Sequence, residues 1–231
     1  MKLSIIIPAY NEEKTIEEII RRVQAVDLGG VEKEIIVVDD GSKDRTRDIL
    51  KKISGIRYVF NEKNLGKGGS VKTGFKNATG DIVTIQDADL EYDPADFPAV
   101  IKPILEGRAE ATNGVRLPVT DDRRRHKSMY WFSWLGNHAI TWTTNWLYWH
   151  NAEEYEGCYK AFTKRLIDSI EIKTNNFDFD NELVCKILKR GYKIIDVPIQ
   201  YHPRNYEEGK KINWKHGFLI LWTIVKTRFV D

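Results

Sequence analysis

The sequence predicts one α/β domain with a mainly parallel β-sheet that is covered by helices. Short apolar segments alternate four times with segments whose apolar residues recur at helical spacing, a pattern typical of parallel sheets. Segment 35–38 is apolar without interruption, as expected for a strand that is covered on both faces. A chain of 231 residues suffices for one such domain, and we find neither an internal repeat nor a second core.

The first half of the chain contains the four predicted strands with helices between them. Strands are predicted at 3–7, 35–38, 56–61 and 81–85, and helices at 15–26, 44–53 and 64–78. Thr15 and Glu18 have the spacing of a capping box at the start of the first helix. The Gly-rich segment 64–74 lacks P-loop spacing, and no Gly-x-Gly-x-x-Gly follows a strand, so we interpret its glycines as a tight turn near a ligand.

The second half is predicted to be richer in helices. A helix is predicted at 95–106, a strand at 110–116, one or two amphipathic helices at 128–150, a strand at 155–162, helices at 163–170 and 180–190, a strand at 192–204 and a last helix at 217–230. Because Pro198 interrupts the strand at 192–204, we expect that strand to be bulged or at an edge of the sheet.

Composition excludes some classes of function. The 36 Lys and Arg residues nearly balance the 34 Asp and Glu residues, so overall charge gives no reason to expect binding to nucleic acid. Cys158 and Cys185 lack metal-ligand spacing and are expected to be ordinary thiols in a reduced, cytoplasmic setting. No signal-peptide pattern opens the sequence, and the longest apolar run, 218–225, is far shorter than the roughly 20 residues of a membrane-spanning helix.

Three carboxylates follow the fourth predicted strand. Asp87 and Asp89 begin on the same side of that strand because side chains alternate, and Glu91 follows before the turn at Asp93–Pro94. Converging carboxylates repel one another unless a cation lies between them. Hard oxygen ligands favour Mg²⁺ or Mn²⁺, which take further ligands from water and from substrate phosphates. The alternative is a solvated acidic loop.

The ends of three predicted strands should meet at one edge of the sheet, where α/β proteins bind ligands. They carry Pro8 to Tyr10, Asp39 to Gly41, and Asp87 to Asp89. Together these segments can form a nucleotide site, in which Pro8 and Tyr10 flank a base and Asp40 accepts from a ribose hydroxyl or a base N–H. Taken singly, each is also a good turn signal.

Several segments in combination resemble the inverting nucleotide-sugar glycosyltransferases of family 2. They are IIIPAYNEE, VVDDGSKDRT, NLGKGGSVKTG, GDIVTIQDADLEYDP, GCYKAF and PIQYHPR followed by EGKKINW. Within that family the chain looks most like polyprenol-phosphate sugar transferases of the dolichol-phosphate-mannose synthase type. The resemblance implies a single GT-A type domain over 1–231, with a nucleotide-sugar-binding half at 1–116 and an acceptor- and membrane-facing half at 117–231.

The resemblance also implies the site. The substrate-binding residues would be Pro8, Tyr10, Glu12, Val38, Asp40, Asp87, Ala88, Asp89, Arg116, Arg204 and Lys210. Of these, Asp89 and Arg116 would be catalytic. Mg²⁺ or Mn²⁺ would bind Asp87, Asp89 and Glu91, although mannose synthases commonly carry Gln at the position of Glu91. The donor would be GDP-mannose or UDP-glucose and the acceptor a polyprenyl phosphate such as dolichyl or undecaprenyl phosphate.

The identity of the acceptor depends on whether the chain supplies a general base. A phosphate acceptor is already anionic and needs cations instead, and a basic cluster follows Arg116: Arg123, Arg124, Arg125, His126 and Lys127. The same cluster can be a solvated loop. An alcohol acceptor, for example a glycan hydroxyl, would need a base, for which Asp178, Asp180 and Glu182 stay open. A third reading is a nucleotide-sugar-binding membrane scaffold without turnover.

The segment 128–150 is dense in aromatic residues. It holds five of the seven Trp residues, namely Trp131, Trp134, Trp142, Trp146 and Trp149. Trp favours the membrane–water interface, so this segment and the last helix are predicted to bind the inner face of the cell membrane as a peripheral protein would. The alternative is that these rings belong to the core or to an oligomer interface.

Overall fold

The computed structural model describes residues 1–116, 127–202 and 214–230, without the side chains of 127–134, 214 and 215. Its described residues include seven strands, which form one sheet in the order β3-β2-β1-β4-β6-β5-β7. The strands are β1 (Lys2–Ala9), β2 (Glu32–Asp39), β3 (Arg57–Phe60), β4 (Ile82–Ile85), β5 (Ala111–Arg116), β6 (Lys160–Thr163) and β7 (Ile194–Ile199).

Helices follow most of the strands. They are α1 (Ile16–Ala25), α2 (Thr46–Leu50), α3 (Lys67–Asn77), α4 (Phe97–Leu105), α5 (Lys127–Tyr148), α6 (Lys164–Ser169), α7 (Phe179–Lys189) and α8 (Trp214–Phe229). A short 3₁₀ turn, Pro94–Asp96, precedes α4. The aromatic segment predicted as one or two helices is the single 22-residue helix α5.

The strand pairing confirms a mainly parallel sheet. Strands β3, β2, β1 and β4 pair in parallel, and β7 pairs in parallel with β5. Strand β6 is antiparallel to both β4 and β5, which the sequence did not indicate. Because β6 lies between β4 and β5, the second half of the chain contributes to the middle of the sheet. Strand β7 is at the edge, as Pro198 predicted.

Two local predictions at the start of the chain were wrong. Strand β1, predicted at 3–7 and thus to end before Pro8, continues through Pro8 to Ala9. Proline is tolerated there because β4 pairs with β1 only over Leu3 to Ile6, so Pro8 lies beyond that ladder. The capping box at α1 is absent, since the Thr15 hydroxyl donates to the Glu12 carboxylate (3.0 Å) while Glu18 binds Arg21 and Arg22.

Two apolar clusters hold the described elements together. The main core lies on the sheet, where β1 is almost fully buried and α3 packs so closely that a Cβ on Gly74 would collide with Ile6. A smaller cluster joins α5, α7 and α8 through Ile140, Cys185 and Ile224. In the parts of the chain that the structure describes, no helix is both long enough and apolar enough to cross a membrane.

Candidate active site

The carboxyl ends of β1, β2 and β4 meet at one edge of the sheet, as predicted. Ala9 lies beside Asp39 in the β1–β2 register, and the Asp40 N–H donates to the Ala9 carbonyl (2.8 Å). On the other side of β1, the Gln86 N–H donates to the Ile6 carbonyl (2.8 Å), which places the 87–91 segment at the same edge. Two acidic strand ends are therefore neighbours of the central strand.

The acidic pair at the end of β2 is buried. Asp40 is 3% exposed, and its carboxylate accepts hydrogen bonds from Asn61 Nδ2 (2.8 Å) and from the backbone N–H groups of Leu65 (3.0 Å) and Gly66 (2.9 Å). The geometry gives Asp40 a definite structural task, which is to hold the turn that leads into α3. Its predicted contact with a ribose or base would have to share oxygens that already accept these bonds.

The neighbouring carboxylate, Asp39, is fully buried. One of its oxygens accepts from Arg47 Nε and from the Ser42 N–H (3.2 Å), and Arg47 also lies over the Phe60 ring (5.0 Å). The other oxygen has no hydrogen-bond partner among the described residues. Arg47 thus neutralises the charge of Asp39 and connects α2 to the end of β2.

The acidic segment after β4 has a different environment. Asp87 is partly exposed and forms an ion pair with Lys67, whose Nζ lies 2.7 Å and 2.9 Å from the two carboxylate oxygens. Burial by itself raises the pKa of Asp87, but the charge and hydrogen bond of Lys67 outweigh burial and hold that pKa below its usual range. A cation therefore already lies at Asp87, and it comes from the first residue of α3.

Asp89 and Glu91 continue this segment. Asp89 Oδ1 accepts from the Glu91 N–H (3.1 Å), and Glu91 Oε2 accepts from the Tyr201 hydroxyl (3.3 Å). Within residues 1–116, 127–202 and 214–230, no three Asp, Glu, His or Cys side chains lie close enough to hold a metal ion by themselves. Asp87 and Asp89 nevertheless fit Mg²⁺ or Mn²⁺ in the mode that uses one or two carboxylates and completes the shell with water and phosphate oxygens.

Arg116 ends β5 and is fixed by a carboxylate. Glu154 accepts from the Arg116 Nε (2.9 Å), Nη2 (2.8 Å) and backbone N–H (2.7 Å), and the guanidinium lies over the Tyr201 ring (5.0 Å). Burial lowers the pKa of Arg116, but Tyr92 and Glu154 outweigh burial and keep the guanidinium charged. Arg116, Asn137, His138 and Glu154 line a cavity of about 200 Å³ between β5 and α5.

The three acids left open as general bases have separate environments. Asp178 is 2% exposed and accepts from the Thr223 hydroxyl (2.8 Å). Glu182 is equally buried and accepts from the Lys173 and Thr174 N–H groups and from Lys186. Asp180 is partly exposed, and burial raises its pKa although Lys160 and Lys67 oppose this. The Asp180 carboxyl interacts electrostatically with Asp87 and Lys67.

The sequence analysis did not identify two lysines of this region as candidate site residues. Lys67 lay within a Gly-rich segment that we interpreted only as a turn. Lys160 is 1% exposed on β6, and its Nζ donates to the carbonyls of Tyr155 (2.9 Å) and Gly157 (2.5 Å). A lysine inside the segment GCYKAF, which reads as a buried strand, was the available signal, because buried lysines are rare unless they are paired.

The glycines before α3 allow close packing between segments of the protein. Gly66 has φ +85°, in agreement with a turn. A Cβ on Gly68 would lie 2.7 Å from Phe179 Cβ, and the Gly69 N–H donates to the Asn175 carbonyl (3.1 Å). The start of α3, which includes Lys67, thus packs closely against residues 175–179, which lead into α7.

The remaining candidate residues lie near the carboxyl ends of β1, β2 and β4 or outside the residues that the structure describes. Pro8, near the end of β1, is half-buried, as are Tyr10 and Glu12 after it, whereas Val38 and Ala88 are buried. Arg204, Lys210 and the basic cluster Arg123 to His126 lie outside the described residues, as do the side chains of Lys127, Trp131 and Trp134.

A mainly parallel sheet with polar strand ends at one edge is the architecture of α/β enzymes that bind ligands at that edge. The family model of glycosyl transferase family 2 matches residues 4–169 of this chain. The chain therefore belongs to glycosyl transferase family 2, and the protein is a glycosyltransferase.

Relatives of known name support the family assignment. The UDP-N-acetylglucosamine–dolichyl-phosphate N-acetylglucosaminyltransferase of Methanococcus voltae is 28% identical over 242 residues, which cover 96% of this chain and 94% of the relative. The undecaprenyl-phosphate 4-deoxy-4-formamido-L-arabinose transferase of Enterobacter sp. (strain 638) is 30% identical over 220 residues, which cover 90% of this chain and 62% of the relative.

A solved structure confirms the fold. Glucosyl-3-phosphoglycerate synthase from Mycobacterium tuberculosis, crystallised with Mn²⁺, uridine diphosphate and phosphoglyceric acid, matches with a TM-score of 0.76 at 21% identity. The match covers 100% of this chain and 79% of that one. At this identity the likeness establishes the predicted GT-A type fold.

Proposed function

We propose that the protein transfers a hexose, mannose or glucose, with inversion from a nucleoside-diphosphate sugar to a polyprenyl phosphate. The observation that carries this proposal is the acidic segment Asp87 to Glu91 at the ligand-binding edge of the sheet, in which Asp87, Asp89 and Glu91 are partly exposed and Asp87 pairs with Lys67. A diphosphate brings negative charge to this edge, where Lys67 and a divalent ion can both bind it. The names of the Methanococcus and Enterobacter relatives include a dolichyl and an undecaprenyl phosphate, which supports the acceptor class.

Asp87 and Asp89 would hold Mg²⁺ or Mn²⁺ together with the donor diphosphate. When bound, the ion stabilises the charge that develops on the leaving diphosphate. Lys67 would leave Asp87 and donate to a phosphate oxygen, since one carboxylate cannot be fully engaged by both cations. Val38, Ala88, Pro8, Tyr10, Glu12 and Asp40 would shape the nucleotide end of the site, and Arg204 and Lys210 would add positive charge near the donor.

Arg116 would orient phosphate at the other end of the site. Its guanidinium is fixed by Glu154 and Tyr201, so little side-chain entropy is lost when it binds an anion. A phosphate acceptor is itself a nucleophile at neutral pH, and this chain needs to hold it in line with the sugar without removing a proton. The cavity beside Arg116, between β5 and α5, supports this position for the phosphate.

Helices α5 and α8 would bind the membrane that contains the acceptor. Exposed aromatic side chains include Trp142 (68%), Trp146 (65%), Trp149 (85%), Phe218 (68%), Trp222 (65%) and Phe229 (72%). Arg228 lies over the Trp149 ring (5.1 Å), so the two exposed sets meet at the helix ends. Neither helix contains Asp or Glu, whereas α8 contains Lys215, Lys226 and Arg228, which favours an anionic lipid surface over an oligomer partner.

The membrane contact can be tested with vesicles. Trp142→Ser with Trp146→Ser should lower co-sedimentation with anionic vesicles several-fold, because each Trp contributes interfacial binding energy. Tyr58→Ser, which changes an exposed ring on β3, should leave binding as it is. Equal binding by all forms would contradict the membrane surface, and equal binding to neutral and anionic vesicles would contradict the preference for anionic lipid.

The acceptor is tested by comparing a polyprenyl phosphate with the polyprenol of the same length. Purified protein is supplied with Mn²⁺ and with UDP-glucose or GDP-mannose, and lipid-linked sugar is measured. We expect transfer to the phosphate alone. Transfer to neither lipid, together with turnover on glycans, would refute the proposed acceptor.

One observation favours a second candidate, transfer to a glycan hydroxyl. Burial raises the pKa of Asp180, which makes its carboxylate a stronger base at neutral pH, and Asp180 lies near Asp87. If this function is correct, Asp180→Asn should abolish transfer to the hydroxyl acceptor by removing the base. Under the first proposal the same variant retains part of its transfer to a phosphate acceptor.

A further inference from the structure

Asp178 immediately precedes α7, where an Asp normally caps its own helix. Its side chain makes no capping bond. One carboxylate oxygen instead accepts from the Thr223 hydroxyl of α8 at 2.8 Å, and the other has no partner among the described residues. Both residues are buried, at 2% and 5% exposed. Helix α8 therefore supplies a buried hydrogen bond to the point at which α7 starts.

The segment around Asp178 is held from two further directions. Phe177 contacts the His216 ring of α8 edge-on, with ring centres 5.2 Å apart. Phe179 is fully buried against Gly68, at the start of α3. This short segment therefore lies between α8 on one side and the helix that carries Lys67 on the other.

Two residues after Asp178, Asp180 reaches the candidate site. It directly follows Phe179, which packs against Gly68, and the neighbouring Lys67 pairs with Asp87. The first turn of α7 therefore lies beside the ion pair at the end of β4, and the charges of Lys160, Lys67 and Asp87 act on the pKa of Asp180 in agreement with this placement. The Asn181 amide donates to Glu156 (3.0 Å), a second carboxyl whose pKa is raised by burial. The first turn of α7 thus carries side chains into the site, and a shift of that turn would move them.

We propose that Thr223 and Asp178 are a positioning pair through which α8 holds the first turn of α7, so that the Asp180 carboxyl faces the transferred sugar. The inference rests on the proposed sugar transfer. Neither Thr223 nor Asp178 touches substrate. Their contribution acts through Asp180, and it makes the helix with the exposed aromatic face part of the support of the catalytic site.

The test compares threonine variants of α8. Thr223→Val keeps the side-chain shape and removes the hydroxyl, and we expect kcat for sugar transfer to fall about tenfold, as when a buried acceptor is left without its partner. Thr223→Ser keeps the hydroxyl and should stay within about twofold of wild type. Thr227→Val is the matched control, because Thr227 is equally buried on α8 but lies one turn further on, where its carbonyl binds Lys189.

Two readouts separate positioning from general loosening of the fold. The Kd for nucleoside diphosphate with Mn²⁺ should not change in Thr223→Val, since Asp87 and Asp89 are untouched. In an Asp180→Asn background Thr223→Val should cause no further loss, because the effect acts through that carboxyl. Asp178→Ala should reproduce Thr223→Val, and Asp178→Asn, which keeps an acceptor oxygen, should retain activity.

Some results would overturn the inference. They are unchanged kcat in Thr223→Val, an equal loss in Thr227→Val, or the same tenfold loss when Asp180 is already replaced. Absence of sugar transfer by the wild-type protein would refute the proposed function instead, so the two failures can be told apart.

Discussion

Two acidic pairs lie at neighbouring strand ends of the same sheet, and they differ in what surrounds them. Asp39 and Asp40, after β2, are buried and engaged by Arg47, by Asn61 and by backbone N–H groups. Asp87 and Asp89, after β4, are partly exposed, and Lys67 of α3 supplies a counter-charge to Asp87. An acidic pair at a strand end is thus a structural anchor where backbone donors surround it and a candidate ligand site where they do not.

The largest expected effect is on catalysis, at the exposed pair. Asp89→Ala should lower turnover by about 10³-fold, the size expected when stabilisation of developing charge is lost. Its melting temperature should stay near that of wild type because the side chain is half-exposed. Release of nucleoside diphosphate in the presence of Mn²⁺ measures this, with the exposed Asp48→Ala as control. Turnover near that of wild type in Asp89→Ala would show that the exposed pair is not a ligand site and does not differ from the buried pair in this way.

The buried pair should show the opposite behaviour. Asp40→Ala leaves the N–H groups of Leu65 and Gly66 without their acceptor, and we expect a loss of about 3 kcal/mol in the free energy of unfolding. This corresponds to a fall of about 10 °C in melting temperature for a domain of this size. Calorimetry of Asp40→Ala beside Asp89→Ala is the measurement. Equal melting temperatures would show that burial does not separate the pairs.

A smaller effect is expected at the opposite end of the sheet, where Glu34 offers a third environment. Burial raises the pKa of Glu34, but hydrogen bonds from Ser4 and Thr79 and the charge of Lys2 outweigh it and lower that pKa to about 2. Because the folded-state pKa is depressed, the stabilisation is present above pH 4.5 and is lost as pH falls towards 2.

Glu34→Gln should therefore lower the free energy of unfolding by about 2 kcal/mol at neutral pH, after allowance for solvent screening. The difference from wild type should shrink between pH 4.5 and pH 2. Urea unfolding across this range measures it. A difference that stays constant with pH would mean that the Glu34 charge contributes nothing.

The sequence predicted the first half of the fold well because local signals dominate there. Uninterrupted apolar strands followed by amphipathic helices can form few structures other than a parallel sheet. The antiparallel insertion of β6 between β4 and β5 depends on long-range pairing, for which the segment GCYKAF carries no local signal. The sequence therefore predicted which segments form strands and helices, but it did not predict the order of the strands in the sheet.

The position of the candidate site could be predicted from the sequence, but the side-chain contacts within it could not. Asp87 and Asp89 stand at the predicted edge, yet nothing in their spacing indicates that Lys67 pairs with one of them from a separate helix. Likewise, Asp178, Asp180 and Glu182 look equivalent in sequence, and burial and partners distinguish them only in the folded chain. Side-chain partners that are distant in sequence can be identified only from the folded structure.

The most direct test is a crystal structure of the protein with Mn²⁺ and an unreactive nucleoside-diphosphate sugar. We predict Mn²⁺ at about 2 Å from carboxylate oxygens of Asp87 and Asp89 and bound to the diphosphate, with Lys67 Nζ moved from Asp87 to a phosphate oxygen. An intact Lys67–Asp87 pair, with the ion and diphosphate bound elsewhere, would contradict the account.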